Sequence, residues 1–576
     1  MRHCILTLLL YLVCIGASAK PFEHNGIYYN IIDNSSVEVY NASGYGVVAK
    51  WYEYYKGTVN IPATISVEGK SYNVTRIADK AFMGQTGLTM VVIPKTVESI
   101  GKQGFSGCTN LKSVAFSSGG VLSSIGKEAF LSCAITSLNF PKSLKIVGEY
   151  AFKYCEALKS IKGGDSIELL DKGSFQGCIN LTEITLPESV KTIGDFAFWN
   201  CTALRTVVMN EGLETIGNDA FLECSSLATV KISNTVKTIG WEAFRWCLNL
   251  RSIVIPNSVE KMDYGTFRYC TGLESITLSN ALQKIPAWAF EQTALKSIEI
   301  PNSVTTIEVS AFTDCSKLSE VKWGSSLEYI YASAFIGTNL SKVELPEPLK
   351  EIGMSAFAKC ENLVEVTIPY TTIRISDFAF TECPKLKTVY NYAITPQEIP
   401  YTQSPFVYCD NPVEVHIFEG LKDEYETSIG WSVAVEKNYI VLKDDIKASK
   451  ISSITIDGAP IYCTVGETGV ATATITPSNA FNRALSWSSS DESILYIDEL
   501  SGQYVALEPG TATITAKATD GSGVSATALV TVTDDTGIKE NFIDATQDVI
   551  FNLRGEKLSV PTKGINIING KKVLIY

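Results

Sequence analysis

Between Arg76 and Val415 the apolar positions of this chain recur as one pattern of about 23 residues. A representative copy runs from Asn180 to Cys201. Leu181, Ile184 and Leu186 are apolar, whereas Thr182, Glu183 and Thr185 are not, and the last three positions alternate as those of a half-buried strand do. Pro187 follows, a residue without an N–H donor at a point where pairing stops. A second apolar pair, Val190 and Ile193, leads to Gly194, where a positive φ and a tight turn are expected. Phe198 and Cys201 then stand three apart, the spacing of two residues on one face of a helical turn. The pattern predicts a short strand, a turn, a second extended piece and a helical turn.

The phenylalanine of this unit recurs at Phe82, Phe105, Phe130, Phe152, Phe175, Phe198, Phe221, Phe244, Phe267, Phe290, Phe312, Phe335, Phe357 and Phe380, in steps of 22 to 25 residues, with a drifted copy at Phe406. Self-similarity at a fixed period over more than half a chain predicts a solenoid. One unit cannot bury its own apolar face, so it must stack on its neighbours.

The unit L-x-x-I-x-L-P-x-S-V-x-x-I-G-x-x-A-F-x-x-C resembles the leucine-rich repeats of the bacterial BspA-like surface proteins. The resemblance implies a right-handed leucine-rich-repeat solenoid, β-rich within the α+β class, with a parallel sheet along one face. It covers residues 76–415, about 15 repeats, and implies a binding or adhesion role.

The flanks differ. Residues 1–19 read as a secretory signal: Arg2, an apolar core from Ile5 to Ile15, and Ala17-Ser18-Ala19 as cleavage site. That core is too short for a convincing membrane span, and no other stretch is apolar enough to cross a bilayer. Val13 stands before Cys14 where a lipid-modified cysteine needs a small residue, so no lipid anchor is expected. Residues 20–75 read as a β-rich cap with a hairpin turn at Glu68-Gly69-Lys70. Residues 416–446 read as the opposite cap, with a polar helix from Leu421 to Ile429 ended by Gly430.

Residues 447–533 are rich in Thr, Ser, Ala and Val in short alternating runs, the pattern of a β-sandwich. The segments T-V-G-E-T at 464–468 and P-G-T-A-T-I-T-A at 509–516 resemble the bacterial immunoglobulin-like group 2 domain, with Trp487 in its core. Residues 534–576 read as a linker and a β tail. Asn569-Gly570 between apolar runs predicts a type I′ hairpin. The tail resembles the sorting segments of Bacteroidetes surface proteins; it is either such a signal or a small appendage.

Charge and chemistry narrow the function. The chain carries 48 Lys+Arg against 61 Asp+Glu, a net charge of −13. That acidity argues against a nucleic-acid partner. Outside the leader, histidine occurs only as His24 and His416, so neither a Ser-His-Asp triad nor a His-based zinc site has its parts. No enzymatic activity, cofactor or metal is expected. The repeated Cys178, Cys201, Cys224 and Cys247 share one position of the unit, so their side chains should point in parallel. Stacked a strand spacing apart, they are expected to form a ladder of free buried thiols rather than disulfides.

Strand positions such as Glu183, Thr185, Ser252, Val254, Ser275, Thr277, Glu299 and Lys322 should face solvent, and most read as ordinary exposed strand residues. Aromatics concentrate elsewhere. Trp241 and Tyr264 occupy equivalent places in adjacent repeats, as do Trp246 and Tyr269, with Arg245 and Arg268 beside the second pair. Exposed aromatic patches mark binding sites, and Trp, Tyr and Arg dominate hot spots. Trp241, Arg245, Trp246, Tyr264, Arg268 and Tyr269 are therefore the candidate ligand-binding residues. Two arginines on neighbouring repeats should repel, a cost that a binding role would explain. The expectation is an exported, monomeric surface or secreted protein that binds a host or bacterial surface protein, with the sandwich as spacer. The alternative is a polysaccharide-binding protein that uses the same aromatics.

Overall fold

The structure is a computed structural model that describes residues 21–41, 54–400, 403–447, 449–477, 480 and 482–533, and, as backbone, the strands Ile550–Asn552, Lys557–Leu558, Gly564–Ile568 and Lys571–Ile575. The expected leader and the Asn569-Gly570 turn lie outside these residues. The chain divides into two compact units, Met1–Asp445 and Ile446–Tyr576.

The first unit is a parallel-strand solenoid built of ladders. One ladder is formed by the longer strands: Glu183–Thr185 pairs in register with Thr206–Val208, which pairs with Thr229–Lys231. A second is formed by two-residue strands such as Thr192–Ile193, Thr215–Ile216 and Thr238–Ile239. The outward and inward positions of the longer strands fall as the alternation predicts, with Ile184 buried between exposed Glu183 and Thr185.

The third side corrects the expected helical turn. Phe196, Phe198 and Asn200 donate their N–H groups to Asn218, Ala220 and Leu222 of the next turn at 2.8 Å each. Ala197, Trp199 and Cys201 donate backwards to Gly194, Phe196 and Phe198 at 3.0–3.2 Å. Alternate donors therefore point along and across the stack. A helix, whose N–H groups all point one way along its axis, cannot do this. The alternation is produced by two left-handed residues per repeat, here Phe196 at φ 59° and Asn200 at φ 57°.

Gly194 also has a different role from the one expected. It is not among the positive-φ residues. A Cβ there would lie 2.6 Å from the carbonyl carbon of Asp171 and 2.8 Å from the Leu170 oxygen. The glycine recurs because the backbone of the preceding turn passes too close for a side chain.

The core is a column. Successive phenylalanine rings from Phe82 to Phe406 are fully or almost fully buried and stack with centroids 4.8–5.9 Å apart. Such aromatic pairs contribute about 0.5–1.5 kcal/mol beyond the area they bury. The column is closed by other aromatics. Tyr55 packs on Phe82 at 4.7 Å, and Trp431 packs on Phe406 at 6.2 Å.

Those closures belong to the caps. At the amino end, Val67 pairs with Lys70 across Glu68 and Gly69, both of positive φ, as the hairpin reading predicts. At the other end the expected helix is Lys422–Thr427, and a second one, not expected, follows Gly430 (φ 85°) at Trp431–Glu436. The second helix carries the buried Trp431, whose Nε1 donates to the Gln397 carbonyl at 3.1 Å.

In the second unit, Ile461–Thr464, Ser525–Thr533, Gly510–Ala518 and Leu485–Ser489 form a four-stranded sheet in that order. Thr468–Val470, Gln503–Ala506 and Leu495–Ile497 form a three-stranded one, and Ser453–Ile456 pairs with Ala473–Thr476. Trp487 is buried in the core between them. Thr468–Val470 and Ala473–Thr476, close in sequence, lie in different sheets. The strands Ile461–Thr464 and Leu495–Ile497 were not legible as alternation. The tail strands form a separate four-stranded sheet, with Ile568 paired to Lys571.

Candidate functional site

The aromatic residues singled out by the sequence sit on the third side of the solenoid, in consecutive turns. Trp246 and Tyr269 occupy the second left-handed position of their repeats, each at φ 60°, and Trp288 occupies the first at φ 54°. A few repeats hold glycine at these positions, as at Gly84, Gly107, Gly177 and Gly265, but most hold another residue, as at Tyr154, Phe196 and Asn200. A bulky residue in this region costs about 1–2 kcal/mol relative to glycine.

The structure brings the predicted residues together as two stacks. The Trp241 and Tyr264 rings stack at 5.5 Å, and the Trp246 and Tyr269 rings at 5.8 Å. Trp288, outside the six candidate residues, meets Tyr264 edge-on at 6.2 Å. The two stacks are joined by arginine. The Arg245 guanidinium lies 4.1 Å from the Trp246 ring centre, and that of Arg268 lies 4.7 Å from Tyr269 and 5.8 Å from Trp288.

Exposure divides the six residues. Trp241 and Tyr264, with Trp288, keep 37–39% of their surface in water. Trp246 and Tyr269 are half-buried beside the guanidiniums. The solvent-facing band is therefore Trp241, Tyr264 and Trp288.

The expected arginine repulsion is offset, which is a correction. Arg245 pairs with Glu242 at 2.8 Å; Arg268 pairs with Glu291 at 2.6 Å and lies 3.9 Å from Glu242. Charges of opposite sign thus alternate along the row. Burial lowers the affinity of Arg268 for its proton, but the bond to Glu291 outweighs it and the pKa is raised. Asp219 accepts from Trp241 Nε1 at 2.9 Å. Burial raises its pKa, and that hydrogen bond opposes the shift. The sequence reading missed these three carboxylates because a Glu or Asp in an acidic repeat carries no distinguishing signal.

The other chain aromatics do not join the ridge. Trp323 packs edge-on against Phe335 at 5.4 Å, and Tyr329 lies 6.1 Å from Tyr331. His416 bonds Asp445 at 2.8 Å and stacks on Tyr390. Among the described residues no group of three His, Cys, Asp or Glu side chains could hold a metal. No helix among them is long and apolar enough to cross a membrane.

Within each stack one face of each ring meets its neighbour, and the Trp246 and Tyr269 rings also lie against guanidiniums. Exposed aromatics flanked by paired charges suit the contacts of a binding surface.

The family model described as the BspA type Leucine rich repeat region (6 copies) matches overlapping stretches from residue 75 to residue 427. The model of the bacterial Ig-like domain (group 2) matches residues 450–532. An uncharacterized protein of Clostridium acetobutylicum is 38% identical over 93 residues, 16% of this chain and 10% of that protein. A 3-O-alpha-D-galactosyl-alpha-L-arabinofuranosidase of Bifidobacterium longum is 29% identical over 119 residues, 19% of this chain and 10% of that enzyme. The chain thus spans about a tenth of the length of either relative. A leucine-rich repeat protein from Bacteroides ovatus, known from its crystal structure, is 27% identical; the match covers 64% of this chain and 94% of that one, with a TM-score of 0.49.

Proposed function

This chain belongs to the BspA-type leucine-rich repeat family, and from that premise we propose that it is an exported surface or secreted adhesion protein whose solenoid binds a protein ligand. The family is consistent with a binding role, and the leader-like residues 1–19 support export. The single observation that carries the site is the ridge of Trp241, Tyr264 and Trp288, three large aromatics in adjacent turns with over a third of their surface exposed. The immunoglobulin-like unit acts as spacer.

An enzymatic role has little support. The glycosidase relative shares only a short stretch, and its activity is a property of that enzyme.

The test is binding of the full chain to a panel of purified matrix and bacterial surface proteins by biolayer interferometry. A Trp241→Ala, Tyr264→Ala, Trp288→Ala triple variant should lose at least tenfold in affinity, because exposed aromatics at a hot spot contribute about 2 kcal/mol or more each. Trp246→Ala with Tyr269→Ala should weaken binding by releasing the arginines. Affinity retained in both variants would refute the ridge as the site.

A further inference from the structure

A second place on the solenoid has the chemistry of a binding groove. It lies on the side of the longer strands, just past their ends, and not on the aromatic ridge. Asn234, Asn257, Asn280 and Asn302 occupy equivalent positions in four successive turns and line one hollow of about 770 Å³. All four are exposed. Two are held in place: Asn257 Oδ1 accepts the Asn280 N–H at 2.9 Å, and Asn302 Oδ1 accepts the Ser325 N–H at 3.0 Å. With the oxygen engaged, the Nδ2 donors of Asn257 and Asn302 are free to face outward.

Trp323 ends this row. It stands where the other turns carry Ile255, Leu278 and Ile300, all buried, yet Trp323 is only half-buried. It lines both the asparagine hollow and a second hollow of about 540 Å³ over the next two turns. Such volumes are in the range of ligand sites. One aromatic wall is thus shared by two adjacent polar hollows that run along the stack.

The groove's lysines are engaged: Lys322 pairs with Glu299 at 2.6 Å, and Lys342 pairs with Glu344 and Glu365 at 2.5 and 3.1 Å, while Glu320 adds a further carboxylate to the second hollow. An anionic ligand would find no uncompensated cation there. An extended peptide would need a strand edge, and the backbone here is spent in the ladder, as when Ile255 and Ile300 donate to Thr277 and Lys322 at 2.9 and 2.8 Å. The outward amide N–H groups of Asn257 and Asn302, with the side-chain amide of Asn280, suit the hydroxyl oxygens of a sugar. Repeated at one strand spacing, they match a polymer whose units recur at a similar interval.

We propose that the asparagine row and Trp323 form a groove for an uncharged, extended polysaccharide. This site is independent of the aromatic ridge and of the protein ligand proposed for it.

The experiment is affinity electrophoresis of the full chain in gels containing xyloglucan, mixed-linkage β-glucan, galactomannan or glycogen, with polygalacturonate as the charged comparison. At least one neutral polymer should retard the protein. Asn280→Ala, an exposed substitution that leaves the core untouched, should weaken retardation several-fold, and Trp323→Ala at least tenfold. The ridge triple variant should migrate as the wild type does in the same gels. Absence of retardation by every neutral polymer, retardation by polygalacturonate alone, or retardation unchanged by Asn280→Ala with Asn302→Ala would each overturn the proposal.

Discussion

The carbonyl oxygen of Phe198 accepts two hydrogen bonds, from the Cys201 N–H of its own turn at 3.1 Å and from the Cys224 thiol of the next turn at 3.2 Å. The same arrangement recurs with Cys201 on Phe175, Cys247 on Phe221 and Cys270 on Phe244. Cysteine suits the place because it is small, mostly apolar and still a weak donor. Truncating it removes one bond to a buried carbonyl and leaves a small void. Cys224→Ala should cost about 1–2 kcal/mol. Cys224→Ser, which keeps a donor, should cost less. Thr338, at the same position, donates instead within its own turn, to Phe335 at 3.0 Å. Denaturant midpoints of the two variants check the order; an alanine variant as stable as the wild type would leave the thiol bond without weight.

The same thiols set an alkaline limit. Burial pushes Cys155, Cys201 and Cys315 from 9.0 up to about 12. A pKa raised in the folded state means that the unfolded chain releases its protons first. Stability is therefore whole below pH 9 and is lost between pH 9 and 12, at about 1.4 kcal/mol per pH unit for each such thiol. Burial raises Tyr55 and Tyr425 as well, with the same sign. Melting temperature should fall steeply above pH 9. At pH 8 the folded protein should react slowly with a thiol probe, whereas in denaturant without reductant the thirteen free cysteines of the described residues should react in full. A flat alkaline profile, or unreactive thiols in denaturant, would contradict the ladder.

Gly217 tests the close approach of successive turns. A Cβ there would lie 2.6 Å from the Asp195 nitrogen and 2.7 Å from the Gly194 carbonyl carbon, both backbone atoms that cannot swing aside. Gly217→Ala should cost about 1–3 kcal/mol by overpacking. Gly194→Ala should behave alike. A variant with unchanged thermal unfolding would mean the turns can separate at no cost.

Much of this was legible beforehand, and the limits have physical causes. Phe198, Cys201, Ile184 and Ile193 announced the core because burial demands apolar side chains at fixed intervals. The left-handed pair at Phe196 and Asn200 was hidden: phenylalanine carries no such signal, and asparagine, though favoured at positive φ, is common in any turn. Gly194 was legible as special but not why: the clash that forbids a side chain comes from Asp171, one turn away. For the ridge, Trp241 and Tyr264 could be matched by spacing alone. Their carboxylate partners could not, because Asp219, Glu242 and Glu291 look like ordinary surface residues until the stack brings them together. The asparagine row was present in the sequence as Pro256-Asn257-Ser258 and Pro301-Asn302-Ser303. Asparagine is common in turns, so nothing in the sequence marked these residues as a surface row.

The tail offers a simpler test. Its four strands pair only with one another and share no ladder with either sandwich sheet. Deleting Gly537 to Tyr576 should leave the thermal unfolding of the solenoid within about a degree of the intact chain. In the producing cell the deletion should release or trap the protein if the tail is a sorting signal. Unchanged surface display would reduce it to an appendage.

A last prediction concerns how a stack of near-identical turns keeps its order. Residues at one position of a parallel, in-register solenoid stack on their own equivalents, so a repeated charge would sit on itself. Before the short strands the sign alternates instead: Lys145, Glu168, Lys191, Glu214, Lys237, Glu260. The pairs Lys145–Glu168, Lys191–Glu214 and Lys237–Glu260 close to 3.5, 3.9 and 3.2 Å. These side chains are more than half exposed, so each pair contributes little, about 0–1 kcal/mol. Their weight lies in what they oppose: a slip of one turn would set like against like along the whole row. Lys191→Glu would line up three carboxylates at one strand spacing. It should lower stability by about 1 kcal/mol at low salt, and Lys191→Gln by about half as much. In 1 M salt, where the screening length falls to about 3 Å, the difference between the two variants should vanish. A loss from Lys191→Glu that persists undiminished in 1 M salt would show that packing, and not charge, governs this row.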